Sequence, residues 1–425
     1  MVDSTKPASG SRNIGTLSVV GLGYIGLPTA AMFASSGVDV IGVDISQRVV
    51  DAVNSGKAHI EEGNLDELVG RCVEAGRLRA TTTPQAADVF IIAVPTPVAH
   101  DDSRLPDVSY IQSAGRAIAP LLKPGNLVIL ESTSPVGTTG MLADLLALAR
   151  PDLSFPQQAG EDADICLAYC PERIIPGQML KELVENDRIV GGMTPRCAER
   201  AAEVYKTFVR GICHASTDRI AEMVKLTENA FRDVNIAFAN ELSMICDDLG
   251  VDVWKVIEFA NRHPRVSILQ PGAGVGGHCI AVDPWFIVSS APDRARIIRA
   301  AREVNDSKPE FIVAQVESAL RRNPDASIAC LGLSYKADVD DFRESPSLEI
   351  ATVLSARYPG RVLCVDPYSH VLPAEEAEAR GLSFADIDAA VDKAQIVVVL
   401  VPHSAFLACP RPEGAIVVDP VGFWC

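Results

Sequence analysis

No stretch of the 425-residue chain approaches the roughly 18 consecutive apolar residues that a membrane-spanning helix needs. The first sixteen residues are polar and lack the apolar core of a secretory signal, so residues 1–16 read as a loose tail. Blocks of Lys and Arg are also missing: 38 basic residues stand against 55 acidic ones, a net charge of −17. This excludes electrostatic capture of nucleic acid or of an anionic membrane, and any anionic ligand must be met by a few locally placed cations. The eleven cysteines lack the paired spacing of a zinc ribbon or a disulfide framework. Cys166 and Cys170 find no second Cys/His pair, so no metal is expected, and the chain reads as a reduced, cytoplasmic protein with mostly buried thiols. Neither a solenoid repeat nor a low-complexity segment occurs, and His59 and His100 have no context beyond a loop.

What is present is 48% hydrophobic residues over a length sufficient for two or three domains with full cores. Short β-branched runs alternate with helical stretches at 17–21, 38–44, 89–94 and 127–130, which predicts βαβ crossovers and a parallel sheet. A second set lies at 327–333, 361–366, 395–401 and 415–418. Between them, from about Thr217 to Gly250, Gly and Pro are absent until the end and a Ser/Thr/Asp cluster can cap the start. One helix on the order of 50 Å long is predicted, fit to connect two domains. Asn323–Asp325 marks the next boundary. The fold class is therefore α/β: a Rossmann domain at 17–216, a helical section at 217–320 and a second Rossmann-like domain at 321–425.

Gly21-Leu22-Gly23-Tyr24-Ile25-Gly26 follows a strand and opens a helix, and Asp44 closes the next strand. The glycines permit a tight turn and close approach of a pyrophosphate, the helix N-terminus supplies N–H donors, and the acid accepts the ribose hydroxyls. Strand, loop, helix and terminal acid together point to a dinucleotide, and the acid would repel a 2′-phosphate, favouring NAD over NADP.

Further along, Gly272–Gly277 is a glycine-dense turn leading to His278, Cys279 and, four residues after the cysteine, Asp283. Taken alone it suits a buried inert thiol as well as a nucleophile. Lys225, Asn229 and Arg232 fall within about 60° of one face of the predicted long helix, with Glu222 and Asn235 extending the stripe. Such a stripe can be a solvated face; the apolar residues on its flanks, Met223, Leu226, Ala230, Phe231 and Val234, suggest a buried polar seam. Two further clusters end strands: Cys170-Pro-Glu-Arg173 with Ile174, and Tyr335-Lys336 followed by Arg343. Strand ends are where open α/β sheets bind ligands.

These motifs, with Val94-Pro-Thr-Pro97 and Glu131-Ser-Thr-Ser-Pro-Val-Gly137, resemble the nucleotide-sugar 6-dehydrogenases that include UDP-glucose dehydrogenase, over nearly the whole chain from Leu17. Asn261-Arg-His-Pro-Arg265, the segment Cys279–Trp285 and Phe231-Arg-Asp-Val-Asn235 are most similar to the branch acting on UDP-N-acetyl-D-mannosamine. Tyr335 departs mildly, standing where many relatives have Phe. The resemblance implies a homodimer through the central helix and a four-electron oxidation of the sugar C6 hydroxyl to a carboxylate for surface polysaccharide synthesis. It implies Cys279 as nucleophile, Lys225 and Asn229 at the reacting oxygen, and Asp283 and Glu172 managing protons and water. Gly21, Gly23, Tyr24, Ile25, Gly26, Asp44, Thr96, Thr133 and Arg343 match cofactor positions. Arg173, Ile174, Lys225, Asn229, Arg232, His263, Arg265, Gly276, Tyr335 and Lys336 match substrate positions. Alternatives are a UDP-N-acetylglucosamine or UDP-glucose 6-dehydrogenase and, outside catalysis, a nucleotide-binding regulatory protein; the retained Cys279, Lys225, Asn229, Asp283 and Glu172 weigh against the last.

Overall fold

The computed structural model describes residues 14–60, 62–99, 104–174, 177–277 and 279–424. Most of the expected tail, His100 and His278 lie outside these residues. The chain divides into two compact units, one up to Thr227 and one from Glu228 onward. The division falls inside a single helix, Asp218–Leu249, of 32 residues. That helix stops where the sequence places its glycine: Gly250 adopts φ +67°, and Asp252 accepts from Trp254 N and Lys255 N to start the next helix, Val253–Ala260.

The N-terminal unit is built on eight strands: β1 Thr16–Val20, β2 Asp39–Val43, β3 Leu78–Thr81, β4 Val89–Ile92, β5 Leu127–Leu130, β6 Cys166–Tyr169, β7 Arg188–Gly192 and β8 Cys213–Thr217. They lie in the order β3-β2-β1-β4-β5-β6-β7-β8. Every pairing is parallel except β6 with β7. The central strands read Val-Phe-Ile-Ile and Leu-Val-Ile-Leu because helices cover both faces, and all eight of these side chains are buried. Parallel pairing from β3 to β6 brings the C-terminal ends of six strands to one edge. The order reverses between β1 and β4, which opens a crevice there.

The second unit holds a four-stranded parallel sheet in the order β10-β9-β11-β12: β9 Ile328–Leu331, β10 Val362–Val365, β11 Ile396–Val399 and β12 Ile416–Val418. The helices from Val253 to Arg322 belong to this same unit. One of them, Arg296–Arg322, runs 27 residues with Pro309 inside it. Among the described residues no helix is long and apolar enough to cross a membrane, and no group of His, Cys, Asp and Glu is placed to hold a metal ion.

Candidate active site

In the N-terminal unit the predicted cofactor residues meet at the strand ends. Gly21 takes φ +96°, where a Cβ would strike the Ala93 carbonyl at 2.5 Å; a Cβ on Gly26 would fall 1.8 Å from the Gly21 oxygen. At Gly23 nothing lies within 4 Å of the same added atom. The outer glycines are thus consumed by the turn, and the middle one faces open space where a pyrophosphate can approach. The following helix, Gly26–Ser35, has no acid in its first turn. Asp44, after β2, accepts from Leu22 N at 3.1 Å and Ser46 N at 2.9 Å, which fixes its carboxylate beside the loop. After β4 and β5, Thr96 Oγ1 donates to the Thr133 carbonyl at 2.5 Å and Ser132 Oγ to the Val94 carbonyl at 2.7 Å, fastening these two loops together. The cradle fits a dinucleotide. Tyr24 is partly exposed and Ile25 half-buried at its mouth.

Glu172, after β6, is buried; its Oε2 accepts from Arg188 Nη2 at 2.6 Å and its Oε1 from Arg173 N at 2.8 Å. The Arg173 guanidinium turns to the Asp187 carbonyl, and Ile174 is half-buried. Lys225 is buried on the long helix, one turn before Asn229. One turn earlier still, Glu222 accepts from Gly137 N at 2.6 Å and from Thr139 N and Oγ1 at 2.8 and 2.7 Å, capping the helix Thr138–Ala149. Burial raises the Glu222 carboxyl above its usual range, against the pull of these hydrogen bonds.

The polar seam of the long helix differs from the sequence reading at its lower end. Arg232 and Phe231 are exposed, whereas Asp233, which the stripe omitted, is fully buried. Asp233 Oδ1 accepts from Arg302 Nη1 at 2.6 Å and Asn305 Nδ2 at 2.8 Å; Asn305 Oδ1 accepts from Asn240 Nδ2 at 2.9 Å. The charge at Asp233 is met by a second helix whose arginine lies 69 residues away, a partnership no local spacing reveals.

That network reaches the cysteine loop, because Gly272 N donates to Asn240 Oδ1 at 2.9 Å. Farther along, a Cβ on Gly276 would meet the Glu344 carbonyl at 2.4 Å and Tyr335 Cβ at 2.9 Å, and one on Gly277, at φ +82°, the Tyr335 ring at 2.9 Å. Glycine is required so that the loop can lie against the turn after β9. Gly276 and Tyr335, both expected at the substrate, are thereby in contact. Cys279 emerges exposed; its carbonyl accepts from Asp283 N at 2.8 Å, and Asp283, buried, opens the helix Asp283–Ser290. Asn229 Nδ2 donates to Asp283 Oδ2 at 2.5 Å. The Cys279 backbone, the Asp283 carboxylate and the Asn229 amide are thereby linked. Lys336, His263 and Arg265 are exposed, and Arg343 pairs with Asp341 at 2.7 Å.

Residues to which the sequence reading gave no role stand at strand ends too. Glu131 follows β5, and Asp366 follows β10, where it accepts from Leu333 N at 2.6 Å, Ser334 N at 3.1 Å and Tyr368 N at 2.8 Å and lies 3.3 Å from His403 Nε2. The signal available was position: each is an acid immediately after a buried β run, as Asp44 is.

The UDP-glucose/GDP-mannose dehydrogenase family matches the chain in three parts, its NAD binding domain at 15–209, its central domain at 219–307 and its UDP binding domain at 329–424. A Ralstonia nicotianae protein named NDP-N-acetyl-D-galactosaminuronic acid dehydrogenase is 59% identical over 96% of both chains. The UDP-N-acetyl-D-mannosamine dehydrogenase of Escherichia coli is 55% identical over 96% of this chain and 99% of its own. Among solved structures, a UDP-D-ManNAc dehydrogenase from Pyrococcus horikoshii superposes with a TM-score of 0.85 at 37% identity, over 96% of this chain and 99% of that one. With a dinucleotide cradle, a cysteine–carboxylate–amide assembly and this extent of likeness, the chain belongs to the UDP-glucose/GDP-mannose dehydrogenase family.

Proposed function

We propose that the enzyme oxidises the C6 hydroxyl of UDP-N-acetyl-D-mannosamine to the uronate for surface polysaccharide synthesis, acting as a cytoplasmic homodimer. The observation that carries the reaction is the Asn229–Asp283 hydrogen bond of 2.5 Å at the helix that Cys279 precedes. NAD, held by the Gly21–Gly26 loop, Asp44, Thr96 and Thr133, supplies the hydride acceptor for each of two oxidations. The sequence carries one such fingerprint, so the aldehyde must stay attached between the two, and a thiol is the group that can hold it.

In this mechanism Asp283 organises the water that takes the C6 hydroxyl proton. Cys279 Sγ then adds to the aldehyde carbon as a thiolate. The second oxidation leaves a thioester, and Glu172 takes a proton from the water that attacks it; the C–S bond breaks and the sulfur leaves as thiolate. Lys225 and Asn229 stabilise the oxyanion at each stage, and loss of one such donor costs about 3–4 kcal/mol in the barrier. Arg173, Arg232, Arg265 and Lys336 supply cations for the diphosphate within a chain of net charge −17; Ile174, His263, Gly276 and Tyr335 complete the substrate contacts, and Arg343 adds to the cofactor.

A second reading is favoured by the relative at 59% identity, whose name specifies N-acetyl-D-galactosaminuronic acid; a UDP-N-acetylgalactosamine substrate follows from it. NADH absorbance with a panel of UDP-sugars decides. Two NADH per UDP-N-acetylmannosamine support the proposal, turnover restricted to the galactosamine epimer moves the assignment to the second reading, and silence with all of them sinks both. Light scattering at micromolar concentration tests the dimer, which a monomeric mass would refute.

A further inference from the structure

Two carboxylates and one guanidinium share a buried site beyond the ends of β5 and β6. Glu131 and Glu172 flank Arg188, with 2.6 Å from Arg188 Nη2 to Glu172 Oε2 and 3.8 Å from Nη1 to Glu131 Oε1. The Tyr205 hydroxyl donates to Glu131 Oε1 at 3.0 Å, and the guanidinium lies 4.5 Å over the Tyr205 ring. The other Glu131 oxygen is buried with no hydrogen-bond partner among the described residues. A single buried cation can neutralise only one of the two carboxylates, so one of the pair holds its proton to a higher pH than usual. Arg188 bonds Glu172 directly at 2.6 Å and lies 3.8 Å from Glu131, so Glu131 is the one whose proton is held.

We propose that Glu131 is a positioning residue for Glu172: by gaining or losing its proton it sets how much of the Arg188 charge Glu172 keeps when Glu172 draws a proton from the water attacking the Cys279 thioester. This rests on the role given to Glu172 above. The groups facing Glu131 are Glu172 and Cys170 beyond β6, Arg188 on β7, Tyr205 at the end of the helix Pro195–Tyr205, and Thr29 on the helix Gly26–Ser35. Burial raises the Glu131 carboxyl, the Glu172 charge adds to this, and Arg188 and the Tyr205 hydrogen bond oppose it, leaving it pushed up to about 7. Above that pH Glu131 is ionised and shares Arg188, and Glu172 pulls the water proton more strongly.

The test is decay of the acyl-Cys279 adduct, followed by intact mass as a function of pH in the full-length enzyme. The wild type is expected to hydrolyse faster as pH rises through about 7, Glu131→Gln to lose that rise and run about tenfold slower at alkaline pH with KM for the UDP-sugar unchanged. Tyr205→Phe keeps both carboxylates but removes a donor to ionised Glu131, so it should move the rise to higher pH. It decides the matter alone if the glutamine variant fails to fold. A rise that stays in place in Glu131→Gln, or is unmoved in Tyr205→Phe, overturns the proposal. Glu172→Gln separates the two ideas: hydrolysis at the wild-type rate refutes the role of Glu172 itself, whereas a stalled adduct there combined with unaltered profiles in the other two variants refutes only the role of Glu131.

Discussion

Asp44 and Asp366 occupy the same position in two sheets of the same plan, each just after the second strand of its unit, and they are used differently. Asp44 accepts one amide on each oxygen, remains half-exposed, and keeps acceptor capacity for a ribose. Asp366 is buried, takes three backbone amides, and has His403 against it. The loops begin alike, since a Cβ on Gly21 or on Gly332 would meet the neighbouring strand's end at 2.5 Å, but two residues on Gly23 opens onto empty space whereas Ser334 is buried and donates to the Lys336 carbonyl at 2.8 Å. In one unit the loop after the first strand is left open for a ligand. In the other it is bolted shut, and the chemistry proposed for that unit lies on the glycine loop that precedes its sheet.

The largest effect that tests this division is expected at Cys279. Cys279→Ser replaces a thiol by a far less acidic hydroxyl and should lower turnover by on the order of 10³ or more with the Kd for the UDP-sugar little changed. Near wild-type turnover through both oxidations would relieve the second unit of its chemistry. Next, Asp366→Ala should destabilise the fold by about 3 kcal/mol in urea unfolding, because buried amides and His403 lose a charged acceptor. Asp44→Ala should cost far less stability, and equal losses would erase the contrast. Burial works against ionised Asp366, but the His403 and amide hydrogen bonds overcome it and hold the carboxyl below its usual range. Its contribution is therefore present above the ordinary aspartate pKa and lost as pH falls below it.

Smaller effects concern the open loop. Gly23→Ala should fold normally and raise KM for NAD about tenfold, while Gly26→Ala should disturb the fold itself; thermal melts and cofactor titrations of both variants measure the difference. The smallest change is expected from Asp44→Asn, which should narrow the preference for NAD over NADP by a few-fold as the repulsion of a 2′-phosphate is relaxed. Comparable kcat/KM for both cofactors in the wild type would remove the basis for that preference.

The repeated α/β pattern, the phosphate loop and the long helix were legible because each is a local signal: alternation, fixed glycine spacing, an uninterrupted run ending in Gly250. The antiparallel step from β6 to β7 was not, since pairing direction depends on how the chain returns from a segment that resembles any other strand. Helix Arg296–Arg322 was obscured by Pro309, a residue that ordinarily ends a helix. At the candidate site, Cys279, Asp283 and Asn229 were singled out through motif resemblance, and the last two are hydrogen-bonded to each other. The buried Asp233, beside which Arg232 is exposed, and the Glu131–Arg188–Tyr205 cluster were not, because Asp233 and the cluster are decided by partners 57 to 74 residues away. Helical phase alone gives a face; the partner decides which of its neighbours points inward.

Glu222 does more than satisfy the helix it caps. Three hydrogen bonds to Gly137 and Thr139 act as a key that locks the rotation of the Asp218–Leu249 helix about its own axis. A slip of one residue would turn the helix by about 100° and swing Lys225 away from its buried position. The angular setting of Lys225, three residues beyond the key, is therefore held by a carboxylate outside the proposed substrate and cofactor contacts. A Glu222→Ala enzyme would keep every proposed catalytic group and lose the alignment of one of them.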